Sequence, residues 1–365
     1  MTPLVKVFMP PKEILMPQLE EVLYSGMVGE GEYVYGFEDK FKSTFGIENG
    51  FAVSSGTAAL HIALLLAGVK SGDEVISTSM TAEPTNTSIL QAGGVPVFAD
   101  VDGKTGCLDV DSVIEMITEK TRAILLVHYA GYLVDVPELK RKLEQNSKGN
   151  IKVIEDCAHA LGAKIDGKTV GTYGDYGIFS FQAIKHMTSI DGGFLVIKDV
   201  NQNKLAKKLR WFGMEKGVER TTLDLDVPGY KYNMNNVTGV IGSVQLEYAL
   251  NNITAHQQNA EFYNSKLMNL KGIEVVQSKG HLTPSYWLYT LLADDSNDVI
   301  NKLKEVGVMA SKLHRPNHYH SLFSSCKRAS MENLNSFYER LVHIPCGWWV
   351  DEKVKELIVD TLKRG

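Results

Sequence analysis

Three short stretches of the 365-residue chain carry side chains suited to chemistry. In Phe179-Ser180-Phe181-Gln182-Ala183-Ile184-Lys185-His186-Met187, closed by Asp191-Gly192-Gly193, a lysine stands in an apolar loop. Desolvation penalises an ammonium, so such an amine is held partly neutral and can form an imine with an aldehyde. In Val153-Ile154-Glu155-Asp156-Cys157-Ala158-His159-Ala160, Asp156 falls at the carboxyl end of an apolar run. Ligands of open α/β sheets gather at such ends. A carboxylate there can keep a pyridinium nitrogen protonated and make the ring an electron sink, while His159 can hydrogen-bond a ring oxygen. In Ser54-Ser55-Gly56-Thr57-Ala58-Ala59-Leu60, a turn after a strand opens a buried helix and offers amides, hydroxyls and the helix dipole to an anion. Each stretch alone also has a plain structural explanation: a surface lysine, a helix cap with a satisfied interior histidine, and an ordinary N-cap. Their occurrence together, as phosphate turn, strand-end Asp and loop Lys, makes one site of them.

The elements that must position these residues are short β-rich runs alternating with helix-like stretches. The runs are FAVS from Phe51, EVISTS from Glu74, VPVFAD from Val95, RAILLV from Arg122, KVIED from Lys152, GIFSF from Gly177 and GFLVI from Gly193. That rhythm predicts an α/β domain with a mostly parallel seven-stranded sheet. Several runs are continuously apolar, as strands covered on both faces should be, and Ala58–Gly68 reads as a buried helix. After about Gly242 the pattern turns to long helical stretches starting with SVQLEYALNN, then a strand-like pair around WLYTLLA, a helix over Asn297–Val306 and a terminal amphipathic helix in DEKVKELIVDTLKRG. The division predicted is 1–242 for a large domain and 243–365 for a smaller C-terminal α+β domain.

Composition narrows the function. Lys+Arg 38 against Asp+Glu 43 are spread without a basic block, which argues against a nucleic-acid partner. No stretch approaches the roughly 20 apolar residues needed to cross a membrane, and the opening MTPLVKVFMPPKEILMPQLEE lacks a long apolar core, so a cytoplasmic protein is expected. The four scattered cysteines (Cys107, Cys157, Cys326, Cys346) fit a reduced compartment and no metal pair. The His-rich Leu313–His320 stretch has no accompanying Cys or carboxylate cluster, so no metal is expected there either. A nicotinamide dehydrogenase is disfavoured because no GxGxxG follows the first strand.

The pieces SSGTAAL, VIEDCAHALGA, FSFQAIKH…DGG and GYKYNMNN from Gly229 resemble the DegT/DnrJ/StrS family of sugar aminotransferases. The upstream VLYSGMVGEGEYVYGFEDKF and downstream IPCGWW extend the resemblance over nearly the whole chain. It implies an aspartate-aminotransferase-like (fold type I) domain binding pyridoxal 5′-phosphate (PLP), with pyridoxamine 5′-phosphate as its amino-carrying form. Lys185 would hold the cofactor as a Schiff base and move the proton, Asp156 would pair with the pyridine nitrogen, and His159 would lie near the ring oxygen. Ser55, Gly56, Thr57 and Ser180 would bind the phosphate, and Asn233 would reach the phosphate of the neighbouring subunit, implying a homodimer with shared sites. His314 and Arg315 would approach a nucleotide-linked keto sugar, aminated at the expense of glutamate or glutamine in surface-glycan synthesis. One departure stands out: Ala82 occupies the place where the family usually carries an aromatic that stacks on the cofactor ring. Glu83 beside it is expected to be a solvated loop charge. The alternatives are a PLP-dependent sugar dehydratase, in which histidine replaces the lysine, and a non-catalytic PLP-fold regulator.

Overall fold

The computed structural model describes residues 1–364. Its strands are β1 (Gly50–Val53), β2 (Glu74–Thr78), β3 (Val95–Ala99), β4 (Thr121–Val127), β5 (Lys152–Asp156), β6 (Lys164–Ile165), β7 (Lys168–Thr169), β8 (Tyr176–Ser180), β9 (Gly193–Ile197), β10 (Ile273–Val275), β11 (Leu282–Thr283), β12 (Tyr289–Ala293) and β13 (Leu341–Ile344). The seven apolar runs of the sequence all form one sheet, ordered β1-β9-β8-β5-β4-β2-β3. Only β9 runs against its neighbours; β5–β8, β4–β5, β2–β4 and β2–β3 are parallel. The reason is local: a parallel return needs a crossover of a dozen or more residues, usually a helix, and the chain between Ser180 and Gly193 contains no helix. It turns back instead, and that turnaround carries Lys185.

The helix Gly56–Leu66 is buried on nearly every side, capped at its start by Ser55, whose Oγ accepts from Ala58 N at 3.0 Å. The 32-residue helix Asn236–Leu267 crosses position 242 unbroken, packs against Glu32–Phe45 and leads into a second antiparallel sheet, β10-β12-β13. The apolar core is continuous from Phe37 and Phe41 through Leu126 to Leu291, Val342 and Ile358. WLYTLLA contributes a single strand, not a pair. Tyr286 has φ +49°, Ser285 N donates to Gly131 O and Leu288 N to Ala130 O, so the first residues of that stretch are drawn out of strand geometry. Helices Ser296–Glu305 and Glu352–Lys363 lie where the amphipathic patterns place them. No described helix is long and apolar enough to cross a membrane.

Because side chains alternate across a strand, the neighbours Glu155 and Asp156 at the end of β5 serve opposite faces. Glu155 is fully buried and accepts hydrogen bonds from the amides of Gly171 (2.8 Å), Tyr173 (2.8 Å) and Gly174 (2.6 Å), and from His128 Nε2 at 3.2 Å. Nδ1 of His128 accepts from Val134 N, which fixes the proton on Nε2. Burial pushes the Glu155 carboxyl up, but these donors outweigh it and hold it below the usual carboxylate range. Glu155 thus pins the loop entering β8 to the strand that carries Asp156. Glu155→Ala should strand those buried donors and lower stability by about 3–5 kcal/mol in chemical denaturation; a loss under about 1 kcal/mol would show that the brace is dispensable.

Candidate active site

The sheet register assembles the site. Val53 and Ser180 both pair with Gly193, and Asp156 pairs with Ile178 two residues before Ser180. The ends of β1, β5 and β8 and the start of β9 therefore share one edge. A Cβ at position 193 would stand 2.6 Å from the Ser55 carbonyl and 2.7 Å from Gly56 N, so only glycine permits this approach. Behind the edge lies a cleft of about 390 Å³, lined among others by Ser55, Gly56, Thr57, Ala82, Glu83, Thr85, Asp156, His159, Ser180 and Lys185. At Gly56 a Cβ would lie 2.9 Å from that of Ser180, so the missing side chain keeps the helix N-terminus, the two hydroxyl residues and Ser180 in one anion-sized cradle.

Asp156 is buried and both its oxygens are engaged: Oδ1 accepts from Ala158 N at 3.0 Å and Oδ2 from Thr85 Oγ1 at 2.9 Å. With its proton given to Asp156, the Thr85 hydroxyl accepts from Thr81 Oγ1 at 2.9 Å. Burial raises the Asp156 carboxyl, against the pull of these donors and of Lys185. Burial brings the Lys185 amine down to about 8, and the opposite charge of Asp156 limits the fall. His159 is held well below the ordinary imidazole range, first by burial and then by Lys185. Its Nδ1 faces Ala130 N at 3.4 Å, and its ring stacks on Trp287 with centroids 4.1 Å apart and planes 16° apart.

Seven of the residues singled out in the sequence thus converge on the cleft: Ser55, Gly56, Thr57, Asp156, His159, Ser180 and Lys185. His314 of the His-rich loop does not line the cleft but lies behind His159, its ring parallel to that ring (10°) with centroids 5.6 Å apart and its Nε2 buried without a partner. Burial lowers it to about 4. Arg315 does not converge; it is exposed and donates to Tyr319 O at 3.2 Å. Asn233 also stands outside the cleft of its own chain, its Oδ1 accepting from Lys231 Nζ at 2.7 Å. Ala82 presents only a methyl group, and no Phe, Tyr or Trp lines the cleft among the described residues. Glu83 is more than a solvated loop charge: it lines the cleft, opens the helix Glu83–Gln91 where the dipole favours an anion, and lies 3.4 Å from His320 Nε2. Thr85 and Trp287 escaped sequence reasoning, although both sit in stretches that drew notice, STSMTAEPTN and WLYTLLA. His128, Glu155 and Cys157 come within metal-ligand distance of one another, but the Glu155 oxygens are already taken by His128 and three amides.

A model of the DegT/DnrJ/EryC1/StrS aminotransferase family matches residues 12–363. The chain belongs to that family. It is 33% identical over 298 residues to a GDP-perosamine synthase of Escherichia coli O157:H7, covering 81% of this chain and 80% of that protein. A GDP-perosamine synthase of Vibrio cholerae is 30% identical over 358 residues, 93% of each. Among solved structures, the sugar aminotransferase CalS13 of Micromonospora echinospora superposes with a TM-score of 0.96 at 34% identity over 100% of both chains. AtS13 of Actinomadura melliaura gives 0.96 at 35% identity over 100% of this chain and 99% of its own. These solved structures share the fold described above.

The burial of His159 has a direct consequence for its charge: an imidazolium there would be poorly solvated and would face the Lys185 amine. His159 should therefore remain neutral across the working range. Histidine NMR, with the resonance assigned through a His159→Gln variant, should show no titration of this ring between pH 6 and 8. A midpoint near 6.5 would mean that the ring is solvated and the packing described is wrong.

Proposed function

We propose that the protein is a PLP-dependent aminotransferase that transfers an amino group from glutamate or glutamine to a keto group of a nucleotide-linked deoxy sugar, in surface-glycan synthesis. The observation that carries this reading is the half-buried Lys185 amine, drawn down to about 8 by partial desolvation in the same cleft as the buried Asp156 carboxyl and the Gly56 turn. The donor set fits PLP: an amine for its aldehyde, a carboxylate for its ring nitrogen and a helix N-terminus with Ser55, Thr57 and Ser180 for its phosphate. When bound, PLP supplies an electron sink conjugated to the reacting carbon.

The chain's own residues do the rest. Thr85 orients Asp156 so that its carboxylate would hold a proton at the ring nitrogen, and Ala158 N fixes the other oxygen. His159, neutral, would offer a hydrogen bond to the ring oxygen without adding charge. Lys185, with its amine near 8, can take a proton from the amino donor's Cα and return one at ordinary pH. His314, half-buried beside His159, would face the sugar; the exposed Arg315 would have to swing from Tyr319 to reach a diphosphate. Asn233, outside the cleft of its own chain, would serve the neighbouring subunit's phosphate in a homodimer, a reading that rests on the family resemblance.

The names of the relatives, GDP-perosamine synthases and a sugar aminotransferase, support the substrate class. A dehydratase built on histidine is the less favoured reading, because His186 is turned away and its Nε2 donates to Ser285 O at 3.0 Å. Four unpaired cysteines support a reducing, cytoplasmic setting. Purified protein supplied with PLP and glutamate should convert one of a panel of nucleotide-linked 3-keto and 4-keto sugars to an amino sugar, detected by mass. Asp156→Asn should fold normally and lose about 10²–10³-fold in rate on that substrate. Failure with every keto sugar under saturating PLP would overturn the substrate class, and near-normal turnover of Asp156→Asn would remove Asp156 from the role given.

A further inference from the structure

Trp287 lies outside the cleft's lining and has no part in the transfer described, yet it touches two of the site's key groups. Its indole is 2% exposed, Lys185 Nζ sits 4.3 Å from its ring centroid, and His159 stacks on it. The indole N–H donates to the carbonyl of Ile184 at 2.8 Å, which ties the ring to the peptide immediately before the lysine. The ring is held from behind as well. Gly131, at φ +92°, lets the chain approach so closely that a Cβ would stand 2.6 Å from both Tyr286 N and Trp287 N. The bonds Ser285 N to Gly131 O (3.1 Å) and Leu288 N to Ala130 O (3.2 Å) close the clamp.

We propose that Trp287 is a positioning residue: its ring face holds the free Lys185 ammonium and so sets the pH at which this amine becomes reactive. The inference rests on Lys185 being the cofactor's amine. Among the described residues no carboxylate forms an ion pair with Nζ; Asp156 acts on it from beyond that distance. A desolvated ammonium over an indole face is stabilised by the ring quadrupole, and Trp is the strongest such acceptor. The other titratable groups around Lys185 are Asp156 from β5, His159 beyond it, His186 in the same loop and His314 opposite. The three imidazoles are kept neutral by burial, which leaves Asp156 and the Trp287 face to balance the ammonium.

The test reads Lys185 without relying on turnover. Full-length protein freed of cofactor is labelled with acetic anhydride from pH 6 to 11, and the Lys185 peptide is quantified by mass against a free-amine standard. Only the midpoint of the profile is used, since accessibility alters rates without moving it. Trp287→Met, which keeps bulk but loses the ring, should lower the midpoint by about one pH unit, and Trp287→Phe should restore most of it. Replacing the four tryptophans biosynthetically with a fluorinated analogue weakens the ring face without changing its shape and should give an intermediate midpoint. An unchanged Lys185 midpoint in Trp287→Met and in the fluorinated protein overturns the proposal. If Trp287→Met does not fold, the fluorinated protein decides alone. Should the cofactor prove to be held by another lysine, the functional reading fails while this midpoint still reports on Trp287.

Discussion

The proposed function depends on placing one half-buried amine, that of Lys185, in the same cleft as one buried carboxyl, that of Asp156. Burial of either group alone is unfavourable by several kcal/mol, and each weakens the other's penalty only in part. Burial lowers the amine to about 8 and raises the carboxyl, so both groups sit closer to a shared proton than free side chains would. Opposed shifts of this kind in one cleft are common at functional sites. The structure around them serves to keep that arrangement from relaxing.

The constraint explains the architecture at the sheet edge. Lys185 rides on a turnaround between β8 and β9, and the antiparallel return of β9 brings Gly193 against Ser55 and Gly56, so the loop and the anion cradle are neighbours by register. Beneath them Glu155 locks the entry to β8, and above them Thr85 locks the Asp156 carboxylate. The C-terminal part of the chain reaches the same edge through the 284–288 loop, which packs Trp287 onto His159 and the lysine loop. A continuous apolar core joins the two parts of the chain.

Much of this was legible in the sequence because the signals were local. Seven short β-rich runs, several of them continuously apolar, read as strands of one sheet, and all seven join it. Ser55-Gly56-Thr57, Asp156 and Lys185 each sit at a strand end, so their convergence follows once the strands are parallel neighbours. The direction of β9 was not visible, since it depends on the absence of a helix in a short loop whose composition does not exclude one. Glu155 was unreadable for another reason: beside Asp156 it looks like a second functional acid, and only the amides of 171–174, folded back from later in the chain, show it as a brace. Thr85, Trp287 and the closeness of His314 to His159 are all contacts between segments 71 or more residues apart, which no local pattern encodes. Arg315 illustrates the converse, a residue type suited to a phosphate but turned to Tyr319 in this chain.

The measurement that bears most directly on the central claim is chemical. The purified protein, saturated with PLP, is reduced with borohydride, which fixes the cofactor to the amine that holds it, and is then digested and mapped by mass. The account predicts a single pyridoxyl group per chain, on Lys185. A pyridoxyl group on any other lysine, or a protein that binds PLP tightly yet yields no modified lysine, would contradict it.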